Sequence, residues 1–142
     1  MDVFLANEQD VVVDEATLMA LAGHALGAEE IDDDSELSVL LVGKDHMRLL
    51  NERFAGNDYP TDVLAFPMME DEEEPGTLVG DVVICPEIAR EHAAELNHPL
   101  DDELRVLVVH GTLHLLGYDH QTADERAVME QRLRQVLETF RT

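Results

Sequence analysis

The chain has 142 residues, enough for one domain with a buried core, and 45% of them are hydrophobic. Thirty-two acidic residues against nine basic ones give a formal net charge of −23, which argues against tight, non-specific binding of nucleic acid through Lys and Arg. There is no apolar run of the roughly 18 residues a membrane span needs. The first ten residues lack the basic region of a secretory signal, and Cys85 is the only cysteine, so the cytoplasm is expected.

In chain order, residues 2–6 and 11–13 are short apolar runs, at least one of them a strand. Asp14 opens a helix to about Leu26, with Leu18, Leu21, Ala22 and Ala25 at helical spacing and Gly27 as its stop. After an acidic loop, Leu37 to Val42 reads as a buried strand. Residues 45–54 predict a helix whose apolar face uses Met47, Leu50 and Phe54. Residues 57–61 are turn-like, and Asp62 to Phe66 is a short strand. Residues 69–76, M-E-D-E-E-E-P-G, read as a solvated loop. Leu78 to Cys85 is apolar enough for a central strand, with Cys85 a small buried residue. Pro86 suits the first turn of a helix to about Leu96, and Pro99 breaks it. Asp101 and Asp102 begin the next helix. Thr122 and Glu125 form a capping box for a last helix ending near Phe140. Residues 1–142 therefore predict a single α/β domain, a small mixed sheet of about four strands with about five helices packed on it.

The helix that starts at Asp101 is apolar almost all round, so it should be buried and central. It carries V-V-H-G-T-L-H-L-L-G-Y-D-H, residues 108–120. His110 and His114 are four residues apart and leave the same helix face. Gly117 accepts the left-handed backbone that closes a last turn, so the chain can reverse and return His120 to the other two. Three neutral imidazoles then converge and leave a fourth position open, as in a catalytic metal site. Zinc is the expected ion and nickel the alternative, within a donor set that also suits copper and iron. His24, His46, His92 and His98 show no comparable spacing and read as ordinary surface or helix residues. The same spacing occurs in metzincin proteases, where a glutamate follows the first histidine as general base. Here Gly111 stands there, should lie close to the metal, and cannot move a proton. This disfavours a protease of that mechanism.

Two stretches resemble one family, the YbeY endoribonucleases, bacterial metalloproteins associated with ribosomal RNA maturation and small-subunit quality control. They are H-G-T-L-H-L-L-G-Y-D-H at 110–120, and P-T-D-V-L-A-F-P at 60–67 followed by G-D-V-V-I-C at 80–85. The similarity runs over about residues 40–137. It implies the same α/β fold, metal binding by His110, His114 and His120, and hydrolysis of ribosomal RNA. Members typically read Y-R-G-K-D before the P-T-D segment, with the arginine in the active site. This chain reads Phe54-Ala55-Gly56-Asn57-Asp58 and lacks both basic residues. Arg53, two residues earlier, is the substitute candidate for the catalytic arginine, because a guanidinium pairs with phosphate oxygens in two places.

No side chain beside the histidines in sequence is assigned as general base. Asp119 is expected to orient a ligand histidine or cap the turn, Tyr118 to pack, and Asp62 and Asp81 to be supporting or structural carboxylates. A basic patch for RNA would draw on Arg53, Arg105, Arg126, Arg132 and Arg134. The rival reading is a ribosome-assembly factor with little catalysis, drawn by its acidity to basic ribosomal proteins. The sequence does not set the oligomeric state.

Overall fold

A computed structural model describes residues 2–31, 33–68 and 78–141. The strands are β1 (Asp2–Glu8), β2 (Glu36–Val42), β3 (Val63–Pro67) and β4 (Leu78–Ile84). The helices are α1 (Glu15–Ala28), α2 (Lys44–Ala55), α3 (Pro86–Glu95), α4 (Leu100–Leu115) and α5 (Ala123–Thr139). The sheet order is β1-β2-β4-β3. β1 and β4 run parallel to β2, pairing Leu5 with Val39 and Val39 with Val82. β1 and β3 are the edges, and β3 runs antiparallel to β4, with Leu64 opposite Val83. This is the mixed four-stranded sheet with five helices that the sequence pattern predicts.

Alternating side chains divide the apolar residues between two faces. On one face Leu37, Val39, Leu41, Val82 and Ile84 pack against Leu18, Ala22 and Leu26 of α1 and Leu104, Leu107, Val108 and Leu115 of α4. On the other, Val83, with Val42 and Cys85 nearby, meets Met47 of α2 and Ile88 of α3. α5 lays Met129 and Val136 over Leu21, Ala25, Val109 and Leu113. α4 therefore lies beside α1 on that sheet face and beneath α5, touching β3, β4, α1, α3 and α5. A side chain on such a helix is held from every direction, which a metal site needs.

Caps fall where the sequence places them. Asp14 accepts a hydrogen bond from the Thr17 backbone N–H at 3.1 Å, and Thr122 accepts one from that of Glu125 at 3.1 Å. Two expectations shift. Helix α1 passes through Gly27 and stops at Ala28. There the Glu30 N–H donates to Gly27 O at 3.1 Å and that of Ile31 to Leu26 O at 3.2 Å, while Glu30 takes a φ of 57°. Ile31 packs on the Leu26 core, so burial of an apolar residue just past the helix decides its end. Of the two early apolar runs, residues 2–6 fall in β1, the one strand expected of them, while at 11–13 the Gln9 side chain bonds both the N–H and the carbonyl of Val11 at 2.8 Å. Phe54 is 60% exposed rather than on the core face of α2, and its ring meets Phe66 edge-on at 5.2 Å. The loop expected at 69–76 lies outside the described residues.

Candidate metal centre

On α4 the rings of His110 and His114 stand one above the other, with centroids 4.7 Å apart. The helix then closes at a glycine. Gly117 has a φ of 100°; its N–H donates to His114 O and that of Tyr118 to Leu113 O, both at 3.1 Å. The chain reverses and brings the His120 ring to 4.9 Å from His114 and 5.8 Å from His110. One ring nitrogen from each of the three lies within 4.8 Å of the others. The return segment is pinned on both sides of its turn. The Tyr118 hydroxyl donates to Glu29 Oε2 at 3.0 Å, and Glu29 also pairs with Arg132 of α5. Asp119 accepts from the His120 N–H at 2.7 Å and stands 3.8 Å from its Nδ1. Tyr118 is thus a packing residue and Asp119 a turn cap, as expected.

The three histidines border a cleft of about 380 Å³ whose other wall is Asp62 of the preceding loop and edge strand β3, with Val63, Leu64, Ala65 and Pro67. Burial drives His110 down to about 4, helped by the neighbouring His114 and His120 rings, which disfavour a further positive charge, and opposed by Asp62. Burial, then His120, also lowers His114, with Asp119 opposing. Both imidazoles are therefore neutral at physiological pH and can offer a lone pair. Three imidazole nitrogens converging beside an open cleft are a donor set that fits a divalent transition ion with a vacant position.

Gly111 also lines the cleft, but its missing side chain points at the sheet. A Cβ there would lie 2.6 Å from Val82 Cγ1 and 3.4 Å from Val63 Cγ2. Packing of α4 on the sheet explains the glycine between the histidines. Arg53 is exposed and not among the cleft residues; its guanidinium sits over the Phe54 ring, 5.5 Å from the centroid. Of the other arginines, Arg132 is held by Glu29 and Arg105 lies beside Asp14, while Arg126 and Arg134 are exposed on α5.

Sequence reasoning missed a second group next to the first. Asp62, His92 and Glu103 bring one donor atom each to within 4.8 Å of one another. His98 Nε2 lies 2.6 Å from Glu103 Oε2. The one signal available in sequence was that Glu103 precedes His110 by two helical turns, on the same face of α4.

A buried helix presenting three convergent imidazoles to a cleft, in a mixed α/β sandwich, defines a protein with a candidate open metal site. A family model described as Endoribonuclease YbeY matches residues 4–141. A relative named Endoribonuclease YbeY from Parafrankia sp. (strain EAN1pec) is 48% identical over 139 residues, covering 91% of this chain and 87% of its own. Another of that name, from Salinispora tropica, is 45% identical over 140 residues, covering 91% and 89%. The solution structure of TM1509 from Thermotoga maritima matches with a TM-score of 0.63 at 31% identity, covering 96% of this chain and 89% of that one. The chain belongs to the YbeY endoribonuclease family. Among the described residues no helix is long and apolar enough to cross a membrane.

Proposed function

We propose that this chain is a metal-dependent endoribonuclease of ribosomal RNA maturation, acting in the cytoplasm, with one zinc ion held by His110, His114 and His120 and nickel the alternative. The observation that carries this reading is the convergence of three histidine rings, at 4.7, 4.9 and 5.8 Å, on a cleft. When bound, such an ion supplies Lewis acidity to a phosphate oxygen and activates water near neutral pH.

The chain's own residues supply the rest. Leu113 and its core neighbours fix α4, and the Gly117 turn aims His120. Asp119 holds the His120 backbone through its N–H. Val63, Leu64 and Ala65 give the cleft an apolar wall that limits water. Arg53, over the Phe54 ring, is the candidate for phosphate contact outside the cleft. Because the net charge is −23, RNA must approach a local patch, and affinity is modest.

The second reading, an assembly factor that binds basic ribosomal proteins, is favoured by that same charge and by Ala55 and Asn57. A cleavage assay on structured RNA, with and without chelator and beside a casein control, separates the two. Chelator-sensitive RNA cleavage without casein cleavage is expected. No cleavage by metal-loaded protein would leave the assembly role, and casein cleavage would point to a protease.

A further inference from the structure

Asp62, His92 and Glu103 come from the loop before β3, from α3 and from the first turns of α4. We infer that they form a second divalent-cation site, separate from the three histidines. Four observations support it. First, one donor atom from each lies within 4.8 Å of the others, a spacing that small side-chain rotations close around an ion. Second, the set is two carboxylate oxygens and one imidazole nitrogen, which zinc and manganese both accept.

Third, the two carboxylates face each other without a Lys or Arg between them. The ion pairs at Asp62 and Glu103 are both to histidine, His92 and His98. Glu103 is only 8% exposed, and one of its oxygens is taken by His98. The contacts to Asp62 are long, 3.4 Å from both Thr61 Oγ1 and His92 Nδ1. Two like charges held this close favour a cation between them. The positive end of the α4 dipole opposes a cation there, but Asp101 and Asp102 share that turn.

Fourth, the group is fixed from three sides. The Cys85 N–H donates to Asp62 O at 2.9 Å, tying the loop to the end of β4, while His92 and Glu103 stand on packed helices. Glu103 lies seven residues before His110, so the two sites sit ~10 Å apart along α4. That is too far for one binuclear centre, whose ions lie ~4 Å apart. Asp62 borders the histidine cleft as well. A dication at the second site would cancel the charge of Asp62 and Glu103 where a phosphate must approach. This consequence rests on the endoribonuclease reading; the binding itself does not.

The test is equilibrium dialysis of metal-free protein against Zn²⁺ at physiological salt, which screens diffuse binding to the acidic surface. Two equivalents are expected, one tight and one weaker. His92→Ala, a change at a half-exposed side chain that the fold tolerates, should weaken the second equivalent by at least ~10-fold and leave the first. Glu103→Gln should do the same. His114→Ala should remove the tight equivalent and keep the weaker one. The exposed pair Asp101→Asn with Asp102→Asn should change neither. A single equivalent in the parent protein, or a second equivalent indifferent to His92→Ala, would overturn the inference. A tight equivalent that survived His114→Ala would instead sink the three-histidine assignment.

Discussion

The Gly117 N–H donates to the His114 carbonyl at 3.1 Å, and its φ of 100° turns the chain back over the helix end. A histidine proposed as a ligand is thus bonded through its own backbone to the turn that returns the next one, His120. The convergence of the three rings depends on that one left-handed position.

Gly117→Ala should therefore cost about 1–2 kcal/mol of stability, the strain of an L-residue in left-handed backbone. It should also weaken metal binding, because relief of the strain displaces His120. Denaturant unfolding of the metal-free protein and a chelator competition report the two effects separately. Unchanged metal affinity would mean that His120 tolerates the shift or is not a ligand.

Gly111 gives a second prediction. A methyl at this position would lie 2.6 Å from Val82 Cγ1, so Gly111→Ala should destabilise by about 1–3 kcal/mol through overpacking. Val82→Ala makes room and should recover part of the loss in the double variant. Strictly additive losses would contradict the contact. Gly111→Glu, a change toward the protease motif, should fail to fold well rather than create a peptidase.

The metal-free protein should lose stability as pH falls. Burial first, then His114 and His120, lowers His110 from an ordinary 6.5 to about 4, and His114 is lowered as well. Between those values the unfolded chain takes up protons that the folded one refuses, so stability is full above pH 6.5 and drains as pH drops toward 4. His110→Gln should flatten this slope in urea unfolding across pH 4–7. An unaltered slope would place the titration elsewhere.

The histidine centre was legible because its signals are local: a four-residue spacing, a glycine stop, and a helix apolar on all sides. Capping at Asp14 and Thr122 was legible for the same reason. The contact of Asp62 with His92 and Glu103 was not, since it joins a loop and two helices brought together only by the sheet. The end of α1 was misplaced at Gly27 because the closing turn takes its left-handed residue at Glu30 rather than at the glycine, with Ile31 packed back on the core cluster. Exposure of Phe54 likewise reflects Phe66, a partner that arrives from an edge strand.

Arg53 carries a prediction about the reaction. Its guanidinium lies over Phe54, whose ring touches Phe66, between the cleft residues Ala65 and Pro67. Arg141, by contrast, bonds the Glu138 and Phe140 carbonyls at the end of α5. Single-turnover cleavage of a structured RNA at matched metal occupancy should fall more with Arg53→Ala than with Arg141→Ala. Equal rates would remove Arg53 from the site.

The most direct measurement on the histidine centre is X-ray absorption of protein loaded with one equivalent of zinc, repeated on His114→Ala. The parent should show three imidazole nitrogens at about 2.0–2.1 Å, and the variant should lose tight stoichiometric binding. A full tight equivalent in His114→Ala, or a parent spectrum dominated by carboxylate oxygen, would contradict a metal centre built from His110, His114 and His120.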